Sequence, residues 1–256
     1  APTDAQTDDL INFIRGIDVY DEDKDNNTTE SRHKLADIYH TNVNVVGVVD
    51  GVVSSNDGSI NYDKKDSYYR SQKQYDNFKN GNSCGEGCNS RTEVVIAGSN
   101  GGILHAFNAL NGEELWGYIP PNIIGKLSTM ITSKANASNA IYGIDGSATV
   151  KDIYFDDTPD DNVDNPRWRT ILMSGLGAGG HGYFALDITN IESPKYLFAI
   201  ENDPFDKKVN IWGADEQKKS FDYTGGSINE SYDYRKLGEA WSTPRIIRIK
   251  HDSKDK

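Results

Sequence analysis

The chain has 256 residues, 36% of them hydrophobic, and a formal charge of −12. It carries no basic run of any length, which argues against a nucleic-acid partner because phosphate binding needs clustered Lys and Arg, and no apolar run approaches the roughly 20 residues of a membrane helix. Abundant glycine (24) and tyrosine (14), with few alanine–leucine runs, favour an all-β, turn-rich fold in one large domain or two small ones.

Thr7–Arg15 is predicted as a short helix capped by Thr7 or Asp8, with Leu10, Ile11, Phe13 and Ile14 on one side and Gly16 ending it. The very acidic loop Ile17–Glu30 follows. Within it Asp21, Asp23 and Asp25 alternate, so three carboxylates can point at one centre, as calcium loops require. Asn26 stands where such loops have glycine and tolerates a left-handed backbone. Asn27 offers its backbone carbonyl and Glu30 closes the cage. An EF-hand would place its bidentate glutamate two residues later, where Arg32 sits. Two readings stand side by side: a calcium site of Asp21, Asp23, Asp25, Asn27 and Glu30, or a solvated acidic loop.

Leu35–Val49, rich in Val and Ile, reads as strand, and Tyr62–Asn80 as a surface helix ending at Gly81. Cys84 and Cys88 flank Gly85-Glu86-Gly87, a spacer that lets the sulfurs meet, and no other cysteine or nearby histidine completes a zinc site. A disulfide is favoured over a free thiol pair and implies an oxidising, extracytoplasmic location. No signal peptide is present, so the chain reads as a mature or excised domain.

Glu93–Pro120 is the most informative stretch. Glu93–Ala97, Ile103–Asn108 and Glu114–Ile119 read as three strands, joined at Gly98-Ser99-Asn100-Gly101-Gly102 and Asn111-Gly112, where positive φ angles suit a two-residue hairpin tip. Trp116 supplies a large flat side chain to wedge between packed sheets. This is the pattern of one β-propeller blade, with Gly98, Asn100, Gly102, His105, Phe107, Gly112 and Trp116 in structural roles.

Beyond a helical or irregular connection over Asn122–Lys134, a second meander is predicted: Tyr142–Ile144, Ser147–Phe155, Trp168–Ser174, Gly182–Ile188 and Tyr196–Ile200. Asp156, Asp157, Asp160, Asp161 and Asp164 read as an ordinary acidic hairpin loop. Gly175, Gly177 and Gly180 match the spacing of a dinucleotide fingerprint, but strand rather than helix follows, so they read as a glycine-rich β-turn. Asp203–Lys236 reads as a polar insertion, and Arg245–Lys250 as a last strand. Sequons stand at Asn26, Asn27, Asn136 and Asn229. The expected architecture is an all-β partial propeller of antiparallel meanders with short helical insertions: one region, with residues 1–92 leading in and 93–256 forming blades.

Several stretches together resemble a known family. They are Leu35–Thr41 with Val45-Val46-Gly47, Ala97–Phe107 with Asn111–Trp116, Tyr142–Asp152, Trp168–Leu172, Gly179-Gly180, Ala185–Thr189, Leu237-Gly238 and Trp241–Pro244. In order and spacing they are similar to the C-terminal propeller of the PilY/PilC-type proteins of type IV pilus tips, matching about its first half. Gly101 stands where the family shows Asp, Ala36 where it shows Gly, and Asn44 where Pro is frequent. The resemblance implies a non-enzymatic protein, exported to the cell surface and pilus tip and associated with the outer membrane. It would meet minor pilins and a host or abiotic surface, in pilus assembly, retraction control and adhesion. The family's recognised calcium loop lies in a later blade and is not carried over, so calcium at Asp21–Glu30 rests on the residues themselves. The rival readings are a quinoprotein-like propeller enzyme, which would need a full ring around its quinone, and a propeller scaffold of other function.

Overall fold

A computed structural model describes residues 3–56, 62–85, 87–132, 138–155, 167–215, 217–224, 233–248, 250–251 and 254–255. The acidic cluster Asp156–Asp164, Glu86 and the sequons at Asn136 and Asn229 lie outside the described residues. Helix α1 spans Asp4–Arg15, beginning earlier than expected. Thr3, rather than Thr7 or Asp8, is its cap, because Thr3 and Gln6 form a reciprocal capping box that satisfies two amide donors at once. Gly16 ends the helix at φ +97°, as the sequence predicts. Phe13 and Ile14 are buried, whereas Ile11 is exposed.

The first sheet runs β1 (Asn44–Val46), β2 (Val94–Gly98), β3 (Leu104–Asn108) and β4 (Glu114–Tyr118), antiparallel throughout. The three blade strands thus appear within a residue of their expected bounds. Their turns are longer than two-residue hairpins: Ser99 and Ile103 close the first, and five residues link Asn108 to Glu114 in the second, where Gly112 takes φ +77°. The strand expected over Leu35–Val49 shrinks to β1. Its first part leaves the sheet because Asp37 and His40 bind turns at the sheet ends instead of a ladder.

The second sheet has six strands in the order β10-β9-β8-β7-β6-β5. They are β5 (Ala148–Tyr154), β6 (Trp168–Gly175), β7 (Gly182–Asp187), β8 (Lys195–Asp203), β9 (Lys208–Trp212) and β10 (Lys218–Asp222). The polar stretch Asp203–Lys236 is therefore more than an insertion. Val209 and Trp212 alone supply enough buried apolar surface to pin β9 to the sheet, and β10 pairs with it. Tyr142–Ile144 is not a strand, and residues 245–248 form none either. The latter lie along β5, where Thr149 Oγ1 donates to Pro244 O (2.6 Å) and Lys151 Nζ to Ile246 O (3.2 Å). A short pair, β11 (Lys250–His251) with β12 (Lys254–Asp255), follows. A 3₁₀ helix at Ile124–Met130 fills the connection between the sheets.

The predicted surface helix is two helices, α2 (Tyr62–Gln72) and α3 (Tyr75–Asn80), broken where Gln74 takes φ +52°. The break turns Tyr75 and Phe78 inward, and both are fully buried. With Val49, Trp168, Cys84 and Cys88 they form a satellite core, the Tyr75 and Trp168 rings meeting edge to face at 4.8 Å. The main core draws on α1 and both sheets, with Phe13, Ile96, Leu104, Ile144, Leu172 and Phe184 at its centre.

The sheets meet where glycine-bearing turns touch through their backbones. A Cβ on Gly143 would lie 2.4 Å from the Gly102 nitrogen, and one on Gly179 1.7 Å from the Gly143 carbonyl oxygen. Ile144 N donates to Ser99 O (3.0 Å) and Asp145 N to Leu176 O (3.1 Å) across the same joint. The fingerprint-like glycines 175–180 are thus a β6–β7 turn, as read from the sequence. Gly179→Ala should cost at least about 3 kcal/mol by forcing the turns apart. Gly125→Ala, where an added Cβ meets nothing within 4 Å, should change stability by less than about 0.5 kcal/mol. Denaturant titration of the two variants measures the contrast, and equal costs would contradict the backbone joint.

Candidate functional site

The acidic loop is closed at its base by backbone. Ile17 bridges Ser31, Asp18 N donates to Glu30 O (2.9 Å), and Arg32 N to Gly16 O (2.8 Å). Three residues adopt left-handed φ within it, Asp21 (+51°), Lys24 (+65°) and Asn26 (+68°), so the expectation at Asn26 holds. Short side-chain-to-backbone bonds shape the turn: Asn26 N to Asp21 Oδ1 (3.1 Å), Asp25 N to Asp23 Oδ1 (3.2 Å) and Asn27 N to Asp25 Oδ1 (2.7 Å).

This folding brings Asp21, Asp23 and Asp25 together, with carboxylate oxygens within 4.8 Å of one another. A second group shares Asp23 and adds Glu30 and Asp18 at the same spacing. The Asn27 side chain turns to Glu30, its Nδ2 donating to Oε2 at 3.3 Å, while its Oδ1 accepts from Thr29 N and Oγ1. Asp18 was not singled out by sequence. It is only 3% exposed, and both of its oxygens share one donor, Glu22 N (2.9 and 2.8 Å). Its signal was faint, a lone Asp between Ile17 and Val19 outside the alternating run.

A cleft of about 350 Å³ opens here, lined by Asp18, Glu22, Asp23, Glu30, Arg32 and His33 among others. Arg32 is committed elsewhere: its Nε holds Glu22 Oε2 at 2.6 Å and its guanidinium lies 3.9 Å from the centre of the Phe13 ring. Loss of hydration, then the charges of Asp25, Asp23 and Asp18, raise the Glu30 carboxyl above its ordinary range. A hard divalent cation would relieve that repulsion, and an all-oxygen donor set suits calcium or magnesium more than a softer metal.

Cys84 and Cys88 form a disulfide, Cα–Cα 4.9 Å, buried in the satellite core. In the blade, Gly98 lies against Ile144 and Gly102 takes φ +80° beneath Ile123. Asn100 Nδ2 donates to Asp37 Oδ2 (2.8 Å). Trp116 is half-buried, its Nε1 donating to Ile191 O (2.7 Å) across to the second sheet. His105 is 1% exposed and stacks on Phe107, rings 5.6 Å apart.

Ser99, His105 and Glu114 stand in the order of a nucleophilic triad, with Ser99 Oγ 3.2 Å from His105 Nε2 and His105 Nδ1 2.7 Å from Glu114 Oε1. Sequence reading did not group them. The hydroxyl is fully buried and lies 3.2 Å from Ile103 O, which leaves it no face for a substrate, and the chain of bonds ends on Lys34 at the surface. It works as a structural tie.

The family described as PilY1 beta-propeller domain matches residues 52–231. The chain belongs to that family. Two relatives are "Type IV pilus biogenesis factor PilY1" of Pseudomonas aeruginosa (strain UCBPP-PA14) and a PilY1 homolog of Xylella fastidiosa (strain Temecula1 / ATCC 700964). The first is 34% identical over 112 residues, covering 44% of this chain and 9% of the relative. The second is 37% identical over 109 residues, covering 43% and 8%. The matched stretch of the chain therefore covers less than a tenth of the length of these relatives. A crystal structure of the Pseudomonas aeruginosa PilY1 C-terminal domain overlaps 59% of this chain and 34% of that one, at 24% identity and a TM-score of 0.35.

Two departures from the family pattern face each other. A Cβ on Gly101 would come 3.1 Å from the Ala36 Cβ, so a larger side chain at position 101 would crowd Ala36. The third, Asn44, uses its Nδ2 to reach Ala148 O (3.3 Å) on β5.

Burial works to raise the Glu114 carboxyl, but hydrogen bonds and charge from Lys34 and His105 outweigh it and hold it below its ordinary range. A depressed folded-state value means stability that is present above the unfolded value and lost as pH falls through the folded one. Glu114→Gln should lower the melting temperature near neutral pH, and the gap to the parent should close as pH falls through the acidic range. Thermal melts across pH check this, and a gap that does not vary with pH would contradict it.

Proposed function

We propose that this chain is part of the propeller of a type IV pilus biogenesis factor, a non-catalytic platform at the pilus tip that acts in assembly, in opposing retraction and in surface adhesion. The observation that carries the reading is the family match across residues 52–231, together with relatives whose names state type IV pilus biogenesis. The buried disulfide supports an exported protein, consistent with a place at the cell surface and outer membrane. Among the described residues no helix is long and apolar enough to cross a membrane. Minor pilins at the tip and a host or abiotic surface are the proposed partners. Two sheets sharing one core and a backbone joint suit a part that must hold its shape under load.

The acidic loop is proposed as a calcium site in which Asp18, Asp23 and Glu30 hold the ion from the cleft side, and Asp21 and Asp25 from the other. Support comes from the two carboxylate groups sharing Asp23, and from Asp18, a buried charge with no cationic partner among the described residues. The ion would supply charge neutralisation and rigidity.

Deleting residues 93–224 from the full-length protein in its own bacterium should abolish or sharply reduce surface pili; normal piliation and surface attachment would overturn the reading, as would quinone-dependent redox activity of the purified chain. Adding calcium should raise the melting temperature by several degrees, since binding at about 100 times Kd stabilises by about 2.7 kcal/mol. Asp23→Ala should remove the rise completely and Asp18→Asn most of it. Identical melts with calcium and with chelator would reject the site.

A further inference from the structure

Residues 34–42 cross the ends of both sheets without entering either ladder. At one end they hold the first sheet. Asn100 N donates to Asp37 O (2.9 Å), Asn100 Nδ2 to Asp37 Oδ2 (2.8 Å), and the Lys34 ammonium pairs with Glu114 on β4. At the other end they hold the turn that starts the second sheet. His40 N donates to Asp145 Oδ1 (3.2 Å), His40 Nδ1 faces Asp145 Oδ2 at 2.6 Å, Thr41 Oγ1 donates to Gly146 O (3.0 Å), and Asn42 N to Ser147 Oγ (3.0 Å).

The anchors on the sheet side are buried: Asp145 is 1% exposed and Asn100 6%. The strap itself is not. Leu35, Ile38 and Tyr39 are 51%, 40% and 68% exposed, so apolar burial does little to keep it in place. A segment held by a few directional bonds, with exposed backbone and little apolar contact, belongs to the low-stability end of a fold.

We propose that residues 34–42 are a latch, a strap that opens and closes as one unit across the two sheet ends while both sheets stay folded. Its two sets of ties are separated by only two residues, so loss of one set frees chain that the other must then hold in order alone, against the entropy of the freed residues. Open, it releases the turns at Asn100 and Asp145 while α1 stays anchored by Phe13 and Ile14 in the main core. Closed, it adds a second clamp beside the glycine joint. The inference needs neither the ion nor the pilus reading.

The signature is coupling between the ends, read by amide hydrogen exchange in the intact chain. His40→Ala alters only the second-sheet end, yet it should speed exchange of the Asn100 amide, which is bound to Asp37, by roughly tenfold. Asp37→Ala should speed the His40 and Asn42 amides by a similar factor. The Leu172 and Leu186 amides of β6 and β7 should not change in either variant. Both substituted residues are exposed, so the variants should fold. Acceleration confined to the altered end, or β6 and β7 exchanging together with the strap, would overturn the latch.

Discussion

Everything in this arrangement depends on backbone meeting backbone where three turns converge: 98–102, 143–146 and 175–180. A side chain at Gly143, Gly146 or Gly179 would sit inside the neighbouring turn. Their absence lets Ile144 drop fully into the main core and lets Ser99 O and Leu176 O take up amides from the connecting segment. Close-packed interiors tolerate little displacement, so a joint of this kind sets the position of both sheets at once. Two of the glycines that mimic a nucleotide-binding fingerprint, Gly175 and Gly177, likewise bring polypeptide, not phosphate, into contact, at Ala240 and Asp145.

A second, polar knot fixes the far end. Arg91 is 6% exposed and donates to Gly47 O (2.7 Å) and Thr170 Oγ1 (3.0 Å); Thr170 in turn donates to Asp152 Oδ1 (2.8 Å), and Tyr75 donates to the other Asp152 oxygen. Burial lowers the Arg91 pKa, opposed by the charge of Asp152, and burial beside Asp152 raises that of Tyr75. The knot ties α3, β5 and β6 to the loop after β1, while the buried disulfide packs against the same aromatic cluster. Core and knot together tie the two sheets into one body.

The blade strands were legible because alternation and turn residues agree there: Val94–Gly98, Leu104–Asn108 and Glu114–Tyr118 each carry a local pattern that tertiary packing only confirms. Leu35–Val49 misled because β-rich composition says nothing about a ladder partner, and the partners of Asp37 and His40 lie far along the chain at Asn100 and Asp145. Tyr75 and Phe78 read as surface residues among charges, since Trp168, which packs with them, and Asp152, which Tyr75 bonds, lie far along the chain on the second sheet. In the acidic loop the alternating carboxylates were visible, but Asp18 joins them only through the Ile17–Ser31 bridge. Likewise β9 rests on Val209 and Trp212, too few to show as a period.

The backbone joint is tested most directly by amide exchange at Ile144 and Asp145, two residues outside any strand whose donors cross between the turns. The account predicts protection as strong as in the central strands β6 and β7, so that these amides exchange only when the whole domain unfolds. Exchange at the rate of an exposed loop would show that the turns do not lock together, and the two sheets would then have no common frame.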